Sequence, residues 1–234
     1  MRLDRPPANA LDPSLLAESG EFLASLRASD PGAVVITGRD GFFSAGVDLK
    51  AVPSLDEAGQ RGMVDGINRL FAGWYSFPRP VVCAVNGHAV AGGMILALCG
   101  DYRVGCDVGK LGLTELRVGI PYPACAMAVV KAELPAAAAR VLVLRAELVS
   151  AADALALGAL DELVSPDQVV PRALEVATEM ASLPRSAYPV VKQQLRREAL
   201  ELLEAVVGGR TDPVAAGWVS SEAASASAAI LDRD

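Results

Sequence analysis

Two glycine-containing corners combine small side chains with backbone positions that could contact a ligand. One is "SAGVDL" at residues 44–49 and the other is "AGGMIL" at residues 91–96, and each follows an apolar run. Glycine inside a helix or strand costs about 0.5–1 kcal/mol relative to alanine, so its use here indicates that another group approaches the backbone closely. A helix that begins at each corner would leave its first N–H groups without partners inside the helix.

Two such corners that face each other could place two N–H donors on one oxygen atom. This arrangement is an oxyanion hole, and each donor can stabilise an enolate or a tetrahedral intermediate by roughly 3 kcal/mol. The alternative is that Gly46, Gly92 and Gly93 only let neighbouring elements pack closely. Residue types and spacing leave both interpretations open.

Few titratable residues are candidates for acid–base chemistry. Glu115, in "GLTELRVGI", follows a short strand-like run and could act as a general base, although a glutamate in that position commonly faces solvent. His88 is the one histidine, and a lone histidine is more often structural than catalytic. Four cysteines without a C-x-x-C pair predict buried thiols in a reducing cytosol and no metal site.

Composition excludes several classes of function. The chain has 234 residues, a net charge of -7 and a sequence pI near 4.9, which argues against binding to the phosphates of nucleic acid. Charged residues interrupt every apolar run before it reaches the length of a membrane span, and the first residues do not resemble a signal peptide. We therefore expect a cytoplasmic protein that does not enter a membrane.

The elements that must position these residues repeat along the chain. The segments "GAVVITGRDGFFSAGVDL", "RPVVCAVNGHAVAGGMILAL" and "KLGLTELRVGIPYPACAMAVV" each predict a strand, then a corner of small residues, then a helix start. An amphipathic helix precedes them, with Asp12 as its N-cap and Pro13 at its first position. Three such units predict stacked turns around a common core.

After Lys131 the sequence favours helices. Ser150 and Asp153 form a capping box for a helix that ends at Gly158. Two further amphipathic helices follow, in "PDQVVPRALEVATEMASLP" and "PVVKQQLRREALELLEAVVGG", and the last stretch predicts one more, in which Trp218 packs either in the core or on a subunit or domain contact. We divide the chain into a spiral core at residues 1–175 and a C-terminal helical region at 176–234.

The motifs resemble those of a known family. "FFSAGVDLKAV", "RPVVCAVNGHAVAGGMILALCGDYRV" and "LGLTELRVGIPY" are similar to the three signature blocks of the enoyl-CoA hydratase/isomerase family, also called the crotonase family, in family order and spacing. The resemblance extends over nearly the whole chain. It implies an α/β crotonase-like spiral of repeated strand-strand-helix turns with a C-terminal helical region. It also implies a homotrimer or a dimer of trimers that acts on acyl-CoA thioesters and needs no cofactor beyond the coenzyme A of its substrate. The acyl-CoA site would lie in the spiral core at residues 1–175, and the helical region at 176–234 would form the trimer.

The same resemblance implies roles for individual residues. The N–H groups of Val47 and Gly92 would form the oxyanion hole, and Glu115 would be the catalytic residue. The residues that would bind the substrate are Ala8, Ala10, Ala45, Asp48, Leu49, Gly93 and Ile95. Lys50 would either meet a coenzyme A phosphate or remain a solvated lysine.

One departure from the family pattern narrows the reaction. Hydratases of this family hold a water between two glutamates, and the first of those positions is Ile95 in this chain, whereas the second is Glu115. A single carboxylate can still move a proton from one carbon to another, as the migration of a double bond requires. The pattern is most similar to the single-glutamate isomerases that convert 3-enoyl-CoA into 2-enoyl-CoA during fatty acid breakdown.

Three alternatives remain open at this level. The protein could be a hydratase or another acyl-CoA enzyme of the same family. It could bind acyl-CoA without catalysis. It could also be a serine hydrolase built on the same spiral, in which any triad would have to use His88.

Overall fold

Two parallel sheets form the centre of the protein in the computed structural model, which describes residues 1–39, 41–48, 55–209, 212–215 and 218. The first sheet has the order β1-β3-β5-β7, with strands Val34–Thr37, Val81–Val85, Tyr102–Gly105 and Glu162–Leu163. The second has the order β2-β4-β6, with strands Phe42–Ser44, His88–Val90 and Leu111–Gly112.

The central strand β3 is buried along its whole length, as its run of apolar residues predicts. Val81 pairs with Val34 of β1, and Val82 pairs with Tyr102 of β5. Because side chains alternate along a strand, Val82 and Ala84 pack towards the seventh helix, and the others point into the main core. The sheet is therefore covered on both faces.

Helices surround the sheets. Their bounds, from α1 to α9, are Pro13–Ser29, Glu57–Tyr75, Gly92–Leu98, Ala124–Glu133, Ala136–Ala139, Ala151–Ala156, Val169–Ala181, Ala187–Leu195 and Arg197–Val207. Short 3₁₀ helices span Glu115–Val118 and Pro166–Gln168, and a π-helical turn spans Arg140–Leu144. Asp12 caps α1 by accepting a hydrogen bond from the N–H of Leu15 at 2.9 Å. Within the described residues, no helix is long and apolar enough to cross a membrane.

The predicted repeat is confirmed as three turns, each with one strand in each sheet followed by a helix: β1-β2-α2, β3-β4-α3 and β5-β6-α4. The corners differ in one respect from the prediction. A helix begins directly at Gly92, but Val47 and Asp48 are not helical, residues 49–54 lie outside the described part, and α2 begins at Glu57. Val47 instead forms an isolated parallel bridge with Leu11.

The C-terminal helices also depart from the prediction. Ser150 is the N-cap of α6, because its Oγ accepts a hydrogen bond from the N–H of Asp153 at 3.1 Å. The other half of the predicted capping box does not form among the described contacts, since the Asp153 carboxylate accepts from Ser150 Oγ at 2.6 Å rather than from the Ser150 N–H. The single helix predicted over "PVVKQQLRREALELLEAVVGG" is wrong, since the chain breaks at Arg196 into α8 and α9. The Arg196 guanidinium enters the core, where it pairs with Asp101 at 3.1 Å and donates to the carbonyl oxygen of Gly100 at 3.0 Å.

The proposed division after residue 175 falls inside α7, which packs against β1, β3 and β5 of the core sheet. A boundary between two units would not cross a helix docked on one of them. The last predicted helix covers residues 212–234, and most of these lie outside the described part of the chain. Within this stretch the structure describes residues 212–215 and 218. We call these five residues the C-terminal segment.

Candidate active site

A cavity of about 520 Å³ lies where the two glycine corners meet the third unit. The corners contribute Ala45, Val47, Val90, Ala91, Gly92 and Ile95. The third unit contributes Thr114, Glu115, Arg117, Val118, Ile120, Pro123 and Ala126, and the remaining described lining residues are Ile67, Phe71, Leu148 and Trp218. The size is ordinary for a ligand site, and the lining is mostly apolar with few polar groups.

The first corner is held in place by the opening segment of the chain. The N–H of Leu11 donates to the carbonyl oxygen of Gly46 at 2.7 Å, and the N–H of Asp48 donates to the carbonyl oxygen of Leu11 at 3.0 Å. In a parallel bridge the residues on either side of the bridged one make the bonds, so the N–H of Val47 points away from Leu11. Val47 also lines the cavity, so its N–H is a candidate donor to a ligand there.

The second corner presents the N–H of Gly92, the first residue of α3. Ala91, which precedes it, has a φ of 53°, and its own N–H donates to the carbonyl oxygen of Gly112 at 2.8 Å. A non-glycine residue with positive φ stores strain that surrounding contacts must hold. Within the described residues, neither Val47 nor Gly92 donates a hydrogen bond from its N–H to another residue.

The two corners touch through Gly46, which has a φ of 80°. A Cβ at this position would lie 2.8 Å from the carbonyl oxygen of Val90, closer than real Cβ atoms approach backbone oxygens. Glycine is therefore required at Gly46 both by backbone conformation and by space.

Glu115 begins the 3₁₀ helix that follows β6. Its Oε2 atom is buried and accepts no hydrogen bond from any described residue. Burial disfavours the charged form and raises the pKa of Glu115 from 4.5 to about 7, although the Glu115 backbone N–H and the nearby Tyr122 hydroxyl oppose part of this rise. Such a carboxyl group can both accept and release a proton near neutral pH.

The surroundings of Glu115 are apolar. Among the described residues that line the cavity, Glu115 is the one acidic residue, and Arg117 is the one basic residue, at an exposed edge. Ile95, on α3, is 1% exposed and lines the same cavity. A hydratase of the family that the sequence resembles would have a second carboxylate at the position of Ile95. The side chain of isoleucine has no polar group that could bind or activate water.

Several residues that the resemblance implied for substrate binding lie outside the cavity lining. Asp48 pairs with Arg5 at 3.2 Å, and the carbonyl oxygen of Ala8 accepts the N–H of Ala45 at 3.0 Å. Ala10 does not line the cavity either. Ala8 and Asp48 therefore hold the first corner in place, and the binding roles of these residues stay predictions. Two further candidates, Leu49 and Lys50, lie outside the described residues.

Gly93, which the resemblance places at the substrate site, is closely packed in the structure. It does not line the cavity, and a Cβ on it would lie 2.1 Å from the carbonyl oxygen of Ser44. Ser44 in turn donates from Oγ to the carbonyl oxygen of Asn9 at 2.7 Å. Gly93 therefore serves close packing, the alternative considered for the glycines, whereas Gly92 faces the cavity.

His88 has a structural environment. Its ring stacks on Phe42 with 4.8 Å between the ring centroids, and its Nδ1 accepts the N–H of Lys110 at 3.2 Å. It does not line the cavity. A hydrolase triad based on His88 would therefore lie outside this cavity, which argues against the serine hydrolase alternative.

Sequence reasoning missed several residues of the site. Phe71 and Ile67 belong to the apolar face of α2, and that face alone does not reveal which of its residues border a cavity. Tyr122 donates from its hydroxyl to the carbonyl oxygen of Leu113 at 3.1 Å and so connects the two ends of the segment 113–122, which contains Glu115.

Trp218 is buried within its own chain. Of the two surroundings predicted for it, core packing is therefore the one that the structure shows.

Comparison with known proteins identifies the family. The sequence profile described as "Enoyl-CoA hydratase/isomerase" matches residues 1–212. The chain belongs to the enoyl-CoA hydratase/isomerase family. It is 31% identical over 207 residues to the mitochondrial enoyl-CoA delta isomerase 1 of Mus musculus. The match covers 87% of this chain and 72% of the mouse protein.

Other relatives of this family member carry a different activity in their names. The probable enoyl-CoA hydratase echA17 of Mycobacterium avium (strain 104) is 34% identical over 195 residues, which cover 81% of this chain and 74% of the relative. Among solved structures, the human mitochondrial delta3-delta2-enoyl-CoA isomerase superposes with a TM-score of 0.88 and 28% identity, covering 98% of this chain and 90% of the human one. The crotonase spiral is thus shared, while the names include both isomerase and hydratase.

Proposed function

We propose that the protein is an isomerase that converts 3-enoyl-CoA into 2-enoyl-CoA. The observation that carries this proposal is the buried, unpartnered Oε2 atom of Glu115, which faces an apolar cavity without a second described carboxylate. A lone base with a raised pKa suits proton transfer between two carbon atoms. Family membership supports an acyl-CoA thioester as the substrate.

In the proposed reaction, the two corners bind the thioester. The carbonyl oxygen accepts hydrogen bonds from the N–H groups of Val47 and Gly92, which have no other acceptor among the described residues. Negative charge grows on this oxygen when the neighbouring carbon loses a proton. Two aligned donors stabilise that charge, each by roughly 3 kcal/mol. Coenzyme A enters as part of the substrate, and no additional cofactor is required.

Glu115 then moves one proton. Its carboxylate removes a proton from C2 of the 3-enoyl group, and the electron pair delocalises over the carbonyl, C2, C3 and C4 as a dienolate. The same carboxyl group returns the proton to C4, so that the double bond lies between C2 and C3. Nothing is oxidised or reduced, and the carboxylate is regenerated. Apolar neighbours such as Ile95 keep water from competing for the proton.

The second candidate is a hydratase, because several relatives carry that name. Addition of water needs one group to remove a proton from the water and an acid to protonate the substrate carbon. Within the described lining residues, Glu115 alone has a carboxyl group, and the side chain of Ile95 is a hydrocarbon. This observation favours isomerisation over hydration.

Incubation with a series of 3-enoyl-CoA esters tests the proposal through the appearance of conjugated 2-enoyl-CoA. We expect Glu115→Gln to lower kcat by about 100-fold to 10,000-fold, because a general base is lost. Acyl-CoA binding should persist, since the Val47 and Gly92 donors remain. Full activity of the Gln variant would contradict the role of Glu115. Binding without turnover by the unmodified protein would support the non-catalytic alternative instead.

A homotrimer, or a dimer of trimers, is also proposed. Helix α8 leaves three large apolar residues exposed, namely Val190, Val191 and Leu195, and such residues on one element are suited to a contact between subunits. Sedimentation at micromolar concentration tests this proposal, and a strictly monomeric mass would contradict it. The cytoplasmic location stays a prediction from the sequence.

A further inference from the structure

The cavity has an exposed side and a closed apolar side. Ile67 and Phe71 from α2, together with Ile95 from α3, are buried to 2% exposure or less. Trp218 adds its indole ring from the C-terminal segment and is 1% exposed. Arg117, which also lines the cavity, is exposed to solvent, so we take the four buried apolar residues as the closed side of the cavity. An apolar chain that enters the cavity would therefore extend towards the buried side.

The indole of Trp218 is held at this buried side by the C-terminal segment. Its Nε1–H donates to the carbonyl oxygen of Pro121 at 3.1 Å. Asp212, which is buried, accepts hydrogen bonds on Oδ2 from the N–H of Ala124 at 2.7 Å and from Nδ2 of Asn68 at 2.8 Å. The segment is thus fastened to the first residue of α4 and to α2. Because a buried carboxylate is costly unless its hydrogen bonds are satisfied, the two hydrogen bonds to Asp212 fix the position of the segment.

We propose that Trp218 sets the acyl chain length by forming the wall that the end of the acyl tail reaches. The protein would accordingly prefer acyl-CoA thioesters with short or medium tails over long ones. This inference rests on the proposed function, because it requires the thioester at Val47 and Gly92. A tail that extends from there towards the buried side would contact the buried apolar residues of the lining, of which Trp218 has the largest side chain.

The energetics predict how affinity depends on tail length. Each methylene that leaves water for the apolar side adds roughly fourfold to binding. When the tail reaches Trp218, a further methylene must displace the indole or turn back towards solvent, so affinity stops rising and then falls. Ile67, Phe71 and Ile95 belong to helices of the main core, whereas Trp218 is the largest side chain of the lining and comes from outside those helices. Its truncation opens the most space.

The test measures binding of saturated acyl-CoA thioesters, from butanoyl-CoA to hexadecanoyl-CoA, by calorimetry. Saturated tails have no double bond to move, so the result does not depend on turnover. In the unmodified protein, we expect affinity to rise with length and then to fall. In Trp218→Leu the fall should move to longer tails, with at least a tenfold gain for the first length that the unmodified protein rejects. Trp218→Phe, a smaller change, should move it less.

The second tryptophan provides a matched control. Trp74 is fully buried in the core, donates to Ser19 Oγ at 3.3 Å and does not line the cavity. Trp74→Leu should lower the melting temperature while the preferred tail length stays the same. Since the chain has two tryptophans, Trp74→Phe leaves Trp218 as the one tryptophan, whose emission can be excited selectively, without tyrosine, at about 295 nm. Its emission should change only with tails long enough to reach the indole.

The outcomes separate this inference from the proposed function. An unchanged length preference in a folded Trp218→Leu protein, or in Trp218→Phe if the Leu variant does not fold, would overturn the inference. Equal changes of Trp218 emission with every tail length would also overturn it. Failure of the unmodified protein to bind any acyl-CoA would overturn the proposed function together with it. A shifted preference without isomerase activity would support the role of Trp218 and contradict that of Glu115.

Discussion

A Cβ on Gly46 would lie 2.9 Å from the amide nitrogen of Gly92, so the two corners of the site meet backbone to backbone. The residue after Gly46 is Val47, and its N–H and that of Gly92 are the two proposed donors to the thioester oxygen. Any side chain at Gly46 must push the corners apart. The relationship between these two glycines therefore links the packing of the spiral to the geometry of the site.

Gly46→Ala should lower kcat by about 100-fold to 1,000-fold, the usual effect of losing one oxyanion donor. Gly41→Ala is the matched control, because Gly41 has a similar φ of 78° but no atom within 4 Å of a Cβ there. Both substitutions strain the backbone, and only the first displaces Gly92. Steady-state kinetics and melting temperatures of the two variants check this. Equal losses of activity in both would argue that strain alone is responsible.

The pH dependence of isomerisation should follow the carboxyl group of Glu115, whose pKa is about 7 because of burial. A general base must be deprotonated, and kcat/KM reports the ionisation of the free enzyme. We expect kcat/KM to fall about tenfold for each pH unit below this pKa and to level off above it. A profile that stays flat down to pH values near the ordinary pKa of 4.5 would contradict a buried base.

The free energy of unfolding should also depend on the ionisation of Glu115, but it should fall with rising pH, whereas activity should rise. The pKa of Glu115 is higher in the folded state than its ordinary value of 4.5, so its contribution to stability is fully present below that value and lost as pH rises through about 7. The loss approaches about 3 kcal/mol at alkaline pH. Relative to the unmodified protein, Glu115→Gln should therefore gain stability between pH 5 and pH 8. Urea unfolding at several pH values measures this, and a pH-independent difference would refute the raised pKa.

Local patterns in the sequence predict the spiral because each turn is encoded within a short stretch. The apolar run of β3 and the N-caps Asp12 and Ser150 all act over a few residues. The break between α8 and α9 could not be predicted in this way. It depends on the burial of Arg196 against Asp101, which lies far away in the chain, while the amphipathic pattern continues across the break.

The candidate site was predictable in part. The motifs pointed to Glu115, Val47 and Gly92, and all three line the cavity, but adjacent glycines look equivalent in a sequence. Only the structure reveals that Gly92 faces the cavity and that Gly93 packs on Ser44. Trp218 offered no motif, because its position depends on how the C-terminal segment attaches to α4. Tertiary contacts of this kind leave no periodic signal.

Ile95→Glu should introduce slow hydration of 2-enoyl-CoA, because a second carboxylate beside Glu115 could hold and activate a water. The two carboxyl groups would perturb each other's pKa, so the gain should be partial. Ile95→Gln is the control with the same shape and no charge, and it should not hydrate. Burial of the new carboxylate should cost at least about 1–3 kcal/mol of stability. Equal hydration by both variants would show that charge at this position is not the determinant.

The most direct measurement compares two reactions of the unmodified protein under the same conditions: isomerisation of a 3-enoyl-CoA and hydration of crotonyl-CoA. Isomerisation should proceed at rates typical of enzymes, on the order of 10 per second. Hydration should stay close to the background rate, because Ile95 stands where a second carboxylate would be needed. Hydration of crotonyl-CoA at on the order of 10 per second or more would contradict the assignment as an isomerase.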